Sequence, residues 1–421
     1  MPAKKNSHLI GWIICLIGAL FYCYEYLLRM EPSVMVNELM RQFSVAATGF
    51  GMISVFYYYA YTPMQLGVGV LIDRYGSKLM IGLGAVACTL GSFLFGISES
   101  VFLASSARFL MGLGSSFAFV GVLKLGAEWL PKHHFAFFVG LTTTLGMVGG
   151  MFGDIALTSL IHKIGWRNTQ HLGTWAGVLL IPIIFLFVHD NPQSRLSSVK
   201  SSTSFANTFL GLKQMVRNKQ MWYCGIIANG LYLSLAAFAE LWGIKFLETV
   251  YSITPSKASI ACSMIFLGWL IGGPISGWLS DHIKSRKSPL IVGSFLSFFI
   301  VLIIILKPFA FPFEMLLFLL FLYGFLSSAQ VICFAISREI NPHNVAATSL
   351  AFVNFLVMLG GLILQPLIGV LLDSVWSGTT IDNVRIYSEK NFQTVFMIIP
   401  ACIIIAIFLS FKIKDTLKVE N

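Results

Sequence analysis

Charge is scarce in this 421-residue chain: only 11% of its residues are Asp, Glu, Lys or Arg, against 57% hydrophobic ones. With a mean hydropathy of +0.81, that scarcity excludes a soluble globular domain and places the chain in a bilayer. Catalytic signatures are missing too. No His-Glu-x-x-His, Gly-x-Ser-x-Gly or nucleotide-phosphate loop occurs, which argues against an intramembrane enzyme and against ATP as the energy source. All seven cysteines (Cys15, Cys23, Cys88, Cys224, Cys262, Cys333 and Cys402) sit in apolar stretches without metal or disulfide spacing. They read as small hydrophobes, and neither cofactor nor metal is expected. No Asn-x-Ser/Thr acceptor is present, which favours a bacterial inner membrane over a glycosylated lysosomal one. The apolar run after Lys4 and Lys5 is too long for a signal-peptide core and has no small-residue cleavage site, so the first span is expected to be retained.

What the chain has in abundance is apolar runs of membrane-crossing length. A helix rises 1.5 Å per residue, so about 20 apolar residues cross roughly 30 Å of hydrocarbon. Such runs fall near residues 9–38, 48–72, 79–98, 101–130, 135–161, 170–188, 221–250, 256–280, 288–307, 312–338, 345–373 and 392–412. They predict an all-α integral membrane protein with twelve transmembrane helices. Of the lysines and arginines in loops and flanks, 17 fall on the side of both termini and 7 on the other, so the positive-inside rule places both termini in the cytoplasm. The net charge of +10 is thereby a topological signal, and nucleic acid is not an expected partner.

The chain also repeats itself. The segment Gly69-Val-Leu-Ile-Asp73-Arg74-Tyr-Gly76-Ser-Lys78 is echoed 208 residues later by Gly277-Trp-Leu-Ser-Asp281-His-Ile-Lys284-Ser-Arg286-Lys287. Each copy is expected to be a cytosolic gating loop, with glycine allowing close approach of a helix end, aspartate facing the next helix N-terminus and the cations in water. A second echo, Met147 to Asp154 against Met358 to Gln365, has an offset of 211 and makes Asp154 and Gln365 counterparts. The Ser-rich, basic stretch 189–218 reads as a flexible cytosolic linker between a bundle of six helices at 1–188 and another at 219–421.

This pattern resembles the major facilitator superfamily, both in its loops and in Arg108-Phe-Leu-Met-Gly-Leu-Gly114, Glu128-Trp-Leu-Pro131 and the run from Phe355 to Gly369. The resemblance covers essentially the whole chain. Two branches look closest: the organic anion:cation symporters of the sialin and sugar-acid type, through Arg29 and Arg108, and the lysosomal dipeptide transporter with its bacterial relatives, through Phe21-Tyr-Cys-Tyr-Glu25. It implies two pseudo-symmetric bundles rocking about a central site, a small-molecule substrate and a working monomer. Both branches also imply an acid seven or eight residues after Arg108, where Ser115 and Ser116 stand. Leu28 replaces the acid that precedes Arg29 in the anion symporters. Proton switching does not carry over to those positions.

A charge at the bilayer centre costs about 2.5–3.5 kcal/mol on insertion scales, so Glu25, Arg29, Arg108, Asp154 and Glu240 are expected to pair or to face a polar pathway. Glu25 and Arg29 are four residues apart and share a helix face. Arg108 offers two parallel donors and reads as an anchor for a carboxylate or phosphate. Asp154, beside a ladder of Gly146, Gly149, Gly150 and Gly153, is a proton or cation site or else a partner of Arg108. Glu240 reads as a proton or amine site or as a partner of Lys245. One or two of Tyr57, Tyr58, Tyr59 and Tyr61 face the pathway, and Asn229, Tyr232, Gln330 and Asn354 add hydrogen-bonding capacity. The expected function is alternating-access transport of a dipeptide, amino acid or small carboxylate, coupled to protons. The rivals are an uncoupled uniporter and a drug-efflux antiporter, the latter weakened because Gly153-Asp154 stands where efflux pumps of this superfamily carry Gly-Pro.

Overall fold

The structure, a computed structural model, describes residues 2–190, 205–342, 345–381 and 384–417. Among these residues eleven helices are long and apolar enough to cross a membrane, or twelve when the bent pair Val36–Phe43 and Ala47–Met64 is counted as one span. Numbered in chain order, the spans are Leu9–Val34, the bent pair, Ser77–Gly96, Val101–Trp129, Phe137–Ile164, Trp166–Phe187, Lys219–Tyr251, Pro255–His282, Lys287–Leu306, Phe313–Glu339, Ala347–Ser374 and Glu389–Lys412. Every expected apolar run finds its helix.

Three details depart from expectation. The first helix stops at Val34, and Val36–Phe43 is a separate amphipathic turn that buries Val36, Leu39 and Met40 and meets the next helix at 108°. Its polar residues recur at the helical period, which favours a helix lying across the end of the bundle over one continuing through it. A two-stranded antiparallel hairpin, Thr380–Ile381 with Val384–Arg385, interrupts the all-α pattern. Of the expected flexible linker, Phe205–Arg217 is a helix, and 191–204 lies outside the described residues.

Several spans are interrupted inside their apolar length. The fourth breaks between Ser115 and Ala118, and the tenth between Ser327 and Val331 around a 3₁₀ turn at Ser328–Gln330. These are positions that the internal repeat brings into register. The fifth and seventh widen into π turns at Gly153–Leu157 and Ser234–Trp242. Such turns shift the i→i−4 ladder by one residue and recur at functional sites.

The chain packs as two compact units. The first comprises Met1–Arg29, Phe56–Gly153 and Leu160–Thr208, and the second comprises Met30–Val55, Asp154–Ser159 and Phe209–Asn421. These units are not simply the two halves of the sequence. In the first, a Cβ at Gly112 would stand 2.0 Å from the carbonyl oxygen of Tyr57, so only glycine lets the fourth span lie directly on the backbone that carries this tyrosine. In the second, Asp373 accepts from the Thr48 amide at 2.8 Å and from the Tyr387 hydroxyl at 2.5 Å, while Tyr387 accepts from the Ala47 amide at 3.0 Å. Two side chains from distant sequence thus satisfy orphan N–H groups at the start of Ala47–Met64.

Candidate functional site

In the first unit, the sequence spacing of Glu25 and Arg29 becomes a contact. One turn of helix brings the Arg29 guanidinium to 2.9 and 3.3 Å from the two Glu25 oxygens, with both side chains buried. Tyr57 closes the arrangement. Its hydroxyl donates to Glu25 at 3.1 Å and accepts from Arg29 Nε at 3.2 Å. The guanidinium also lies over the rings of Tyr26 and Tyr61, at 4.7 and 4.8 Å. Tyr59, by contrast, is exposed.

Arg108 joins the same cluster. It is buried, donates to the Leu28 carbonyl at 2.8 Å and lies 4.9 Å over the Tyr57 ring. Two buried guanidinium groups therefore meet at one tyrosine ring, with Glu25 paired to Arg29. The serines that stand where an acid was implied do other things: Ser115 meets the Cys88 thiol at 3.4 Å, and Ser116 bonds back to the Leu113 carbonyl.

The second unit is arranged differently. Its buried charged residues, among those described, are Glu31, Asp154 and Glu240, with no buried lysine or arginine. Asp154 does not pair with an arginine. Its Oδ1 accepts from the Ser33 hydroxyl at 3.2 Å, Oδ2 is buried without a hydrogen-bond partner, and its own carbonyl takes the Thr158 hydroxyl at 2.6 Å. Glu240 accepts from the Tyr232 hydroxyl at 3.1 Å, and Tyr232 packs edge-on against Trp269, whose indole donates to Ser234. Lys245, weighed as a partner of Glu240, lies 3.4 Å from Glu248 instead, because three residues bring helical side chains together and five do not. Asp154 and Glu240 both sit in the π turns. Gln365, the counterpart of Asp154 in the repeat, ties its amide to the Ala236 carbonyl and its own carbonyl to Trp242 Nε1.

The remaining expected residues are placed variously. The Asn229 amide is committed to the Leu356 and Val357 carbonyls, which makes it a bridge between helices. Gln330 is buried in the 3₁₀ turn of the tenth span, and Asn354 is half-buried on the eleventh. A small pocket in the second unit is lined by Asn37, Lys245, Arg385, Tyr387 and apolar neighbours; of the expected pathway residues it contains none.

The repeated loops keep their charges but not the proposed geometry. A Cβ at Gly69 or Gly277 would meet nothing within 4 Å, so neither glycine is there for close packing. Gly76 is different, with φ at +91°, a conformation L side chains resist. Asp73 pairs with Lys124 at 2.8 Å, and Arg74 lies over Tyr75. Asp281 pairs with Arg286 at 2.5 Å, and Arg286 reaches Glu339 at 2.7 Å. The following helix N-termini are capped from elsewhere: Asp190 accepts from the Lys78 amide at 2.8 Å, and Asp415 from the Arg286 amide at 2.9 Å. Part-burial pushes the Asp415 carboxyl up, but the hydrogen bonds from Ser285 and the Arg286 amide outweigh it and hold the group below the usual carboxylate range.

Glu31 and Ser33 escaped the sequence reading. Glu31 is an acid inside an apolar run and was detectable on that ground, whereas Ser33 carries no signal in composition.

Comparison with known proteins agrees with this architecture. The chain is 20% identical over 297 residues to the probable sulfoacetate transporter SauU of Cupriavidus necator, covering 68% of this chain and 67% of that one. It is 22% identical over 336 residues to the probable galactarate/D-glucarate transporter GudP of Escherichia coli, covering 71% and 73%. A crystal structure of a bacterial homologue of the human lysosomal transporter Spinster, inward-facing and unoccupied, superposes with a TM-score of 0.77 at 14% identity over 96% of both chains, which shows the fold. The Major Facilitator Superfamily model matches residues 14–250 and 241–420, and the chain belongs to that superfamily of membrane transporters.

Proposed function

We propose that this secondary transporter carries a small organic anion, of the sugar-acid or small sulfonate class, together with protons, by alternating access in a bacterial inner membrane. The observation that carries this reading is the Glu25–Arg29–Arg108 cluster. Its two buried, planar guanidinium groups suit a carboxylate or sulfonate, whose paired oxygens match two parallel N–H donors. An arriving anion competes with Glu25 for Arg29, so binding is an exchange of partners at that guanidinium, with the Tyr57 hydroxyl still donating to Glu25. Sulfoacetate and galactarate/D-glucarate transporters among the relatives support the same class. Proton coupling rests on the buried acids: a transported anion that enters with protons adds little net charge, and Glu25, Asp154 and Glu240 are the groups able to carry them. The absence of a nucleotide loop leaves ion gradients as the energy source.

Uptake into proteoliposomes with an imposed inward proton gradient tests the reading. The panel contains galactarate, D-glucarate, sulfoacetate, dipeptides and a lipophilic cation. Gradient-stimulated accumulation of an organic anion, lost in Arg29→Ala, is expected. Accumulation of dipeptides alone would shift the substrate class, and expulsion of the lipophilic cation would replace the symport reading with drug antiport.

A further inference from the structure

Resting on the symport reading, we propose that Asp154 is the carboxyl that carries the coupled proton, and that Ser33 holds it in position.

Two features distinguish it from Glu25 and Glu240, and one more, the π turn, it shares with Glu240. Glu25 is committed to Arg29 and Tyr57, so its charge is matched within the fold. Glu240 has the Tyr232 hydroxyl. Asp154 is fully buried, makes no ion pair among the described residues, and leaves Oδ2 without a partner. An ionised carboxylate in that position has only two neutral groups, the Ser33 hydroxyl and the Cys262 thiol, to offset the loss of water. A proton on Oδ2 removes the charge and turns the orphan acceptor into a hydroxyl.

The second feature is the backbone. Asp154 lies in the π turn Gly153–Leu157, where the helical ladder is already shifted. The Thr158 hydroxyl takes up the Asp154 carbonyl, so the irregular turn is held by a side chain rather than by a regular bond. A turn of this kind can change register without unfolding the span, which is what exposing a carboxyl to alternate aqueous faces requires.

The third feature is the set of groups that face it. Ser33 comes from the first span, itself fixed by a bond to the Met30 carbonyl at 2.7 Å. The Cys262 thiol of the eighth span faces the carboxyl and also lies 3.8 Å from the Ala239 carbonyl. Glu240 is the charged neighbour whose field bears on the site. No cation is among these groups. Loading is then addition of one proton to Oδ2 with formation of its O–H bond. Unloading breaks that bond and returns the proton to water on the other face.

The test compares two transport modes in proteoliposomes, with D-glucarate and sulfoacetate as probes. A gradient of one pH unit is worth about 1.4 kcal/mol, or about a tenfold accumulation ratio for one proton per anion. In Asp154→Asn, accumulation driven by the gradient is expected to fall to equilibration, while exchange of internal for external anion continues at a rate close to that of the wild type. Asp154→Glu, which restores a titratable carboxyl, is expected to recover accumulation and so separates coupling from folding damage. Infrared difference spectra of the protein between acid and alkaline pH give a readout that needs no substrate: a protonated-carboxyl band present in the wild type and missing in Asp154→Asn. Accumulation that survives in Asp154→Asn, or an unchanged carboxyl band, would overturn the assignment. So would accumulation by the wild type that needs sodium and ignores the proton gradient. If no anion moves in the wild type while the band still maps to Asp154, the organic-anion reading has failed and the proton site stands.

Discussion

The two compact units treat buried charge in opposite ways. The first encloses two arginines and one glutamate knitted together by tyrosines, whereas the second encloses three acids and no buried lysine or arginine among the described residues. A buried guanidinium held by its own carboxylate can take up an anion by exchange of partners. On the proposed reading, the binding of the anion and the handling of the proton fall to different parts of the chain, so each can be altered alone.

The largest effect is expected from Arg29→Ala. It leaves Glu25 buried without the Arg29 guanidinium, a change that costs about 3–5 kcal/mol for a broken buried pair. Thermal melting in detergent should show a large loss, and Glu25→Gln added to it should recover part. If the double variant melts no higher than the single one, the pair is not the source of the cost.

Gly112→Ala comes next. The new Cβ would press on the Tyr57 carbonyl, and overpacking of this kind costs about 1–3 kcal/mol. Since Tyr57 carries both arginines, anion affinity should fall along with stability. Gly140→Ala, at a glycine with nothing within 4 Å, is the control and should leave both unchanged.

Tyr57→Phe sharpens the comparison without breaking the packing. It keeps the ring beneath the guanidinium groups and deletes the hydroxyl that serves Glu25 and Arg29, which is worth about 1.5–3 kcal/mol for a hydrogen bond to a charged group. Weaker anion binding with an unchanged proton requirement is expected from transport titrations. An altered proton requirement would mean that the first unit handles protons as well.

The smallest effect belongs to Asp415, outside the spans. Its carboxyl is held below the ordinary range, so the folded state gains stability that is fully present above the ordinary carboxylate value near about 4 and is lost as pH falls through the depressed one. Asp415→Asn should therefore melt slightly below the wild type at neutral pH, and the gap should close in acid. A gap that widens in acid would reverse the sign.

The sequence made some of this legible and hid the rest for identifiable reasons. Apolar run length located the spans because hydrocarbon thickness leaves few alternatives. The Glu25–Arg29 contact followed from helical spacing alone. The choice of Tyr57 over its neighbours did not, since it depends on where Gly112 lets another span touch. The π turns that present Asp154 and Glu240 leave no trace in composition, because they are settled by the packing around them. The capping aspartates Asp190 and Asp415 lie after the sixth and twelfth spans, far in sequence from the N-termini they serve, and local motif reading assigned that role to Asp73 and Asp281 instead.

The most direct measurement of the central claim is proton entry itself. Proteoliposomes loaded with a pH-sensitive dye and held at equal pH inside and out are given D-glucarate, galactarate or sulfoacetate. An anion taken up through the arginine cluster with protons on the buried acids should acidify the interior in step with its own entry. Anion entry at constant internal pH, or no entry of any of the three, would contradict the account.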